Sequence, residues 1–175
     1  MATKASASAN SGAGDDAEFY MRRALELARI GSITPGAAAI GCVIVRDGQI
    51  LGEGHNEVDL RHDTTAHAEI VAMRRAGVAA GSAELRGATL YTTLQPCGMC
   101  SMAVIWSKID RIVFGAGRAD VHAMYFEERH LDTVDFIADA FRDDLVILGG
   151  VLRDDCAALY YGPGDDPPPE EQSNL

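Results

Sequence analysis

Four side chains in this sequence are of types that can act together as a reaction centre. His67-Ala68-Glu69 opens one predicted helix, and Pro96-Cys97-Gly98-Met99-Cys100 opens another directly after a predicted strand. Cys97 and Cys100, at i and i+3, share one helical face, so both sulfurs can reach a single ion. Their place in a first helical turn favours thiolates over thiols, because the helix dipole is positive there. One histidine and two cysteines make three ligands, one short of a closed tetrahedral site. That is the open arrangement of catalytic zinc, which keeps its fourth position for water. Zinc draws the pKa of such a water towards ~7, and the nucleophile then needs a proton shuttle close by. Glu69, two residues from His67, can face the same ion if His67 sits in the entry turn of its helix.

Taken alone, Cys-x-x-Cys is a metal half-site or a redox pair. A redox pair would need neither His67 nor Glu69. A purely structural zinc site would recruit a fourth ligand, and His55, His62, His122 and His130 are available for it. The combination is more specific: His-Ala-Glu, then Pro-Cys-x-x-Cys after a strand, is the signature of zinc deaminases.

The elements that must carry these residues follow from periodicity. Residues 16–30 pattern as an amphipathic helix with Ala17, Met21, Ala24, Leu25 and Ala28 on one face. Strands are expected at 39–45 and 49–55 around the hairpin pair Asp47-Gly48. A second helix should run from Ala66 to a stop at Gly77, with Thr64 or Thr65 as N-cap. A strand at 88–94, a third helix from Cys97 to about Ser107 and a strand at 111–116 come next. Residues 118–131 show no clear period, 145–148 look like a short strand, and 152–161 like a closing helix. Strands alternating with helices indicate a three-layer α/β domain around one sheet. The expected organisation is a tail over 1–15, one domain over 16–162 and an acidic, Pro-rich tail over 163–175.

Composition narrows the function classes. The chain has 175 residues, 47% hydrophobic and 23% charged, which suits one ordinary globular domain. No apolar run approaches the ~20 residues of a membrane helix. The N-terminal residues carry no apolar core of a secretory signal, so a cytoplasmic protein with reduced cysteines is expected. Cys42 and Cys156 lie in apolar runs and should be buried as small hydrophobes. The net charge is −11, and seven of the acids lie within residues 1–18 and 162–175. Without a basic surplus to neutralise phosphates, the balance weighs against a long nucleic acid partner.

At GHN (54–56), DTTAHAEI (63–70), TLYTTLQPCGMC (89–100) and RIVFGA (111–116) the chain resembles the cytidine deaminase-like superfamily, in its nucleobase and tRNA-adenosine deaminase branch. The resemblance implies a three-layer α/β/α sandwich with a five-stranded mixed sheet. It also implies Zn2+ on His67, Cys97 and Cys100, with Glu69 passing protons from water to a ring nitrogen and then to the departing amine. Asn56 matches the family's asparagine that holds the base edge, and the Ala68 N–H matches the second contact. Trp106 matches a tryptophan that guanine deaminases place against the base. Glu127, Glu128 and Asp135 are candidates for a carboxylate that handles the purine. A free purine base or nucleoside, guanine first, is therefore the expected substrate. The alternatives are a tRNA wobble adenosine, a cytosine-type base, and a zinc-stabilised binding protein without activity. The tRNA reading draws on GGVLRDDCAAL (149–159), while the acidic end DDPPPEEQ stands where tRNA deaminases carry a basic helix. Relatives are commonly dimers, and Met102, Val104, Ile105 and Trp106 are candidate homodimer contacts.

Overall fold

The computed structural model describes residues 12–126, 135 and 144–168. Helix α1 (Gly12–Ile33) leads into β1 (Ala38–Arg46) and β2 (Gln49–Asn56), then a single turn of helix α2 (Val58–Arg61) and α3 (Ala68–Ala80). Strand β3 (Thr89–Leu94), helix α4 (Gly98–Trp106) and β4 (Arg111–Ala116) follow. A 3-10 turn (Ala123–Tyr125), β5 (Val146–Leu148) and α5 (Arg153–Ala157) complete the described elements. The five strands form one sheet in the order β2-β1-β3-β4-β5. Strand β1 is antiparallel to both β2 and β3, while β3, β4 and β5 run parallel. The expected mixed sheet of a three-layer sandwich is present.

Strand alternation separates two cores, because successive side chains leave opposite faces of a sheet. Val43, Val45, Tyr91 and Val113 meet Met21, Ala24 and Leu25 of α1, together with Cys156 of α5. Cys42, Ile44, Leu90 and Ile112 meet Ala72 and Ala76 of α3 and Val104 of α4. The hairpin between β1 and β2 turns at Asp47 and Gly48, both with positive φ (51° and 73°), as a tight I′-like turn requires.

Two glycines set the helix distances. A Cβ on Gly41 would lie 2.0 Å from the Ala24 carbonyl oxygen of α1. One on Gly52 would lie 2.3 Å from the Ala72 carbonyl oxygen of α3. Both helices therefore rest directly on strand backbone, one on each face of the sheet.

Several boundaries differ from the sequence reading. Helix α1 begins at Gly12, inside the expected tail. Helix α3 starts at Ala68, capped by His67 rather than by Thr64 or Thr65, and passes Gly77 to end at Ala80 with Gly81 in the left-handed region. Asp63 explains the first difference: its carboxylate accepts from the Thr65 N–H (2.9 Å) and hydroxyl (2.6 Å), a local turn that precedes the helix. The closing helix is only Arg153–Ala157. Val104 is fully buried in the core, so it is not a surface for a second copy. No helix among the described residues is long and apolar enough to cross a membrane.

Candidate metal centre and active site

The centre forms where two helices begin. His67 is the N-cap of α3 and Cys97 the N-cap of α4, both in extended backbone, and Cys100 lies in the first turn of α4. Strand β3 delivers Cys97: its end is anchored by the Gln95 N–H donating to the Ala116 carbonyl of β4 (2.8 Å), and Pro96 follows. The His67 Nδ1 atom lies 3.7 Å from both Cys97 Sγ and Cys100 Sγ. All three ligand atoms fall within 4.8 Å of one another.

These separations fit zinc. Ligands at ~2.0–2.3 Å from one ion, at tetrahedral angles, stand roughly 3.5–3.8 Å apart. A nitrogen and two sulfurs are also the donors zinc prefers. Hydrogen bonding from Cys100, joined by His67 and opposed by burial, draws the Cys97 thiol down to about 4. Cys100 moves the other way, through the bond it shares with Cys97, burial and the neighbouring Glu69 charge. Among the described residues no fourth His, Cys, Asp or Glu joins this group, which leaves the open arrangement.

Glu69 is buried within the first turn of α3. Its Oε1 accepts from the Thr92 hydroxyl (3.2 Å), and its Oε2 lies 3.5 Å from Cys100 Sγ. Burial pushes its carboxyl above the ordinary range, the Cys97 charge adds to this, and His67 opposes it. A carboxyl with a raised pKa beside a candidate ion is suited to exchanging protons with what binds there.

A cavity of about 380 Å³ opens on His67, Glu69 and Cys97. Asn56, Thr64, Gln95, Leu94, Ile40 and Tyr125 form other parts of its wall. Asn56 ends β2, and its Oδ1 accepts from the Val58 N–H (3.1 Å). That bond fixes the amide and orients its NH2 group as the end to donate. Ala68, the first residue of α3, is fully buried between His67 and Glu69. Its N–H belongs to the first helical turn, whose donors find no partner within the helix.

Other expected substrate contacts lie elsewhere. Trp106 is the last residue of α4, 74% exposed, and does not line the cavity of its own chain. The reason is helical rise: Trp106 sits six residues beyond Cys100, roughly 9 Å further from the helix start. Asp135 is exposed and is also absent from the described lining. Glu127 and Glu128 lie outside the described residues.

Two residues next to the centre, Thr92 behind Glu69 and Tyr125 on the cavity wall, escaped the sequence reading. Thr92 had a usable signal, since its parity with Leu90 on β3 turns it towards α3. Tyr125 had none, because residues 118–131 carry no period.

Comparison with known proteins agrees with this geometry. The "tRNA-specific adenosine deaminase" of Buchnera aphidicola (strain Sg) is 36% identical over 141 residues, 81% of this chain and 89% of that protein. The guanine deaminase of Bacillus subtilis is 36% identical over 111 residues, 63% of this chain and 71% of that protein. A solved structure from work on A-to-I editing by tRNA:A34 deaminases superposes with a TM-score of 0.69 at 31% identity, covering 81% of this chain and 98% of that one. The Buchnera tRNA-specific deaminase is matched over more of the chain than the Bacillus guanine deaminase (81% against 63%), which corrects the expectation that guanine leads. It also weakens the charge argument against a nucleic acid partner. Residues 15–116, well over half the chain, match the zinc-binding region of cytidine and deoxycytidylate deaminases, so the chain belongs to that family of hydrolytic deaminases.

Proposed function

We propose that this protein deaminates adenosine to inosine in a tRNA anticodon loop. The observation that carries the reading is the near full-length match, 89% of its length, to a tRNA-specific adenosine deaminase. The centre described above supports the chemistry. When bound, zinc supplies the Lewis acidity that makes water a nucleophile at neutral pH. Glu69 moves the protons, from the attacking water to the ring nitrogen beside the amino-bearing carbon, then to the departing amine. The products are the keto base and ammonia. Asn56, held by the Val58 N–H, donates its amide to the base edge, and the Ala68 N–H offers the second contact.

The acidic composition is compatible with RNA because much of the charge is terminal. Residues 19–161 carry 14 basic and 19 acidic side chains. A second copy of the chain is part of the proposal. Met99, Met102 and Trp106 are exposed at i, i+3 and i+7 on α4, one helical face, and Trp106 belongs to this stripe rather than to its own chain's cavity.

The test is inosine formation in an anticodon stem-loop bearing adenosine at the wobble position, with ammonia release from guanine, guanosine and cytosine run in parallel. Inosine formation, with affinity falling as salt rises, is the expected result. Ammonia from guanine alone, with the stem-loop untouched, would return the purine-base reading to first place.

A further inference from the structure

Among the described residues that line the metal cavity, Tyr125 is the one aromatic side chain. Among the other described lining residues only His67 carries a planar ring, and its Nδ1 faces the two cysteine sulfurs as a candidate metal ligand; the remainder are aliphatic or polar. Tyr125 is tied from behind. Its hydroxyl accepts from the Tyr161 N–H (3.3 Å), and its ring meets the Tyr160 ring edge-on at 5.2 Å and 64°. The Tyr160 hydroxyl is in turn hydrogen-bonded to the Thr93 hydroxyl on β3 (2.9 Å), which also accepts from the Gly41 N–H of β1 (3.2 Å). The His122 N–H, three residues before Tyr125, donates to the Tyr161 carbonyl (2.7 Å). The C-terminal segment thus holds the Tyr125 hydroxyl and ring from behind and fixes the side chain at the cavity wall.

We propose that Tyr125 is a substrate-contacting, specificity-determining residue whose ring packs against the base, and that Tyr160 and Tyr161 are positioning residues acting through it. This rests on the reading that a nucleobase enters the cavity. Stacking contacts of this kind are tolerant of base identity but demand a planar ring. The residue would therefore raise affinity for bases as a class, while Asn56 discriminates their edges.

The experiment is steady-state kinetics on the anticodon stem-loop, with zinc content and thermal unfolding measured for each variant. Tyr125→Leu, which keeps an apolar side chain against Tyr160, should raise KM about tenfold while kcat and zinc content hold. Tyr125→Phe should recover most of that loss, because the ring remains. An unchanged KM in Tyr125→Leu would overturn the proposal. So would equal damage in Tyr125→Phe, which would assign the effect to the hydroxyl tie. If the wild-type protein leaves the stem-loop untouched, the tRNA reading fails, and Tyr125 is judged by fluorescence titration with 2-aminopurine riboside. Weaker binding by Tyr125→Leu than by wild type would then sustain the role, and equal or absent binding by both would refute it.

Discussion

Two glutamates, twelve residues apart and equally buried at 4% exposure, have opposite surroundings. Glu57 follows the end of β2 and is clasped by arginines: Arg61 bonds one carboxylate oxygen and Arg75 the other, at 3.0 Å. Glu69 faces a hydroxyl, a thiol and the candidate metal ligands, and none of its recorded partners is a guanidinium. Burial alone would push both carboxyls up. At Glu57 the Arg61 hydrogen bond and the charges of Arg75, Arg61 and His55 outweigh it and hold the group below the usual range. At Glu69 burial prevails. Burial of a carboxylate is thus no indicator of chemistry until its neighbours are known: guanidinium partners hold Glu57 ionised, while burial beside thiols and a cavity makes Glu69 bind its proton more tightly.

The sharpest test removes the feature that only the Glu69 region has. Cys97→Ser should lose both zinc and turnover, since a neutral hydroxyl replaces one of two thiolates. Full zinc occupancy measured by elemental analysis would remove Cys97 from the ligand set. Next, Glu69→Gln should keep zinc and the unfolding temperature but lose at least ~10²-fold in rate, the scale of general acid–base catalysis. Turnover near wild type would end its role as proton carrier. Smaller still, Glu57→Gln should spare kcat and cost about 1–3 kcal/mol of stability, the worth of hydrogen bonds to charged groups.

The same variant checks the sign of the pH effect. A carboxyl depressed in the folded state contributes stability that is full above its unfolded value and disappears as pH falls through the lower folded value. Acid unfolding of the wild type below about pH 4.5 should therefore be steeper than that of Glu57→Gln. Parallel acid transitions would show that the clamp has no electrostatic share.

The contrast also explains what could be read from the residues in order. The grouping of the candidate ligands with Glu69 was legible because helix starts fix spacing locally: His67 and Cys97 cap two helices, and Cys100 is one turn on. The sheet was legible because apolar runs and the Asp47-Gly48 turn are local signals. The Glu57 clamp was not, since Arg75 reaches it across eighteen residues and no spacing rule links them. Tyr125 was hidden for the same reason, its position being set by Tyr160 and Tyr161 from the far end of the domain. Trp106 was named from a resemblance to guanine deaminases; helix length carries it to the surface, away from its own chain's cavity.

The bare backbone contacts of Gly41 and Gly52 give the centre a remote dependence. Ala72 and Ala76, on which Gly52 rests, are five and nine residues from His67, roughly 8–14 Å along the helix axis. A methyl group at that point would act as a wedge under a stiff rod, tilting its far end and the ligand it carries. Displacements of about 1 Å are enough to cost ~10²-fold in a positioned reaction. The alignment of this centre therefore depends on a position outside its cavity wall, where the smallest residue in the chain lets the helix that begins at His67 lie flat on the sheet.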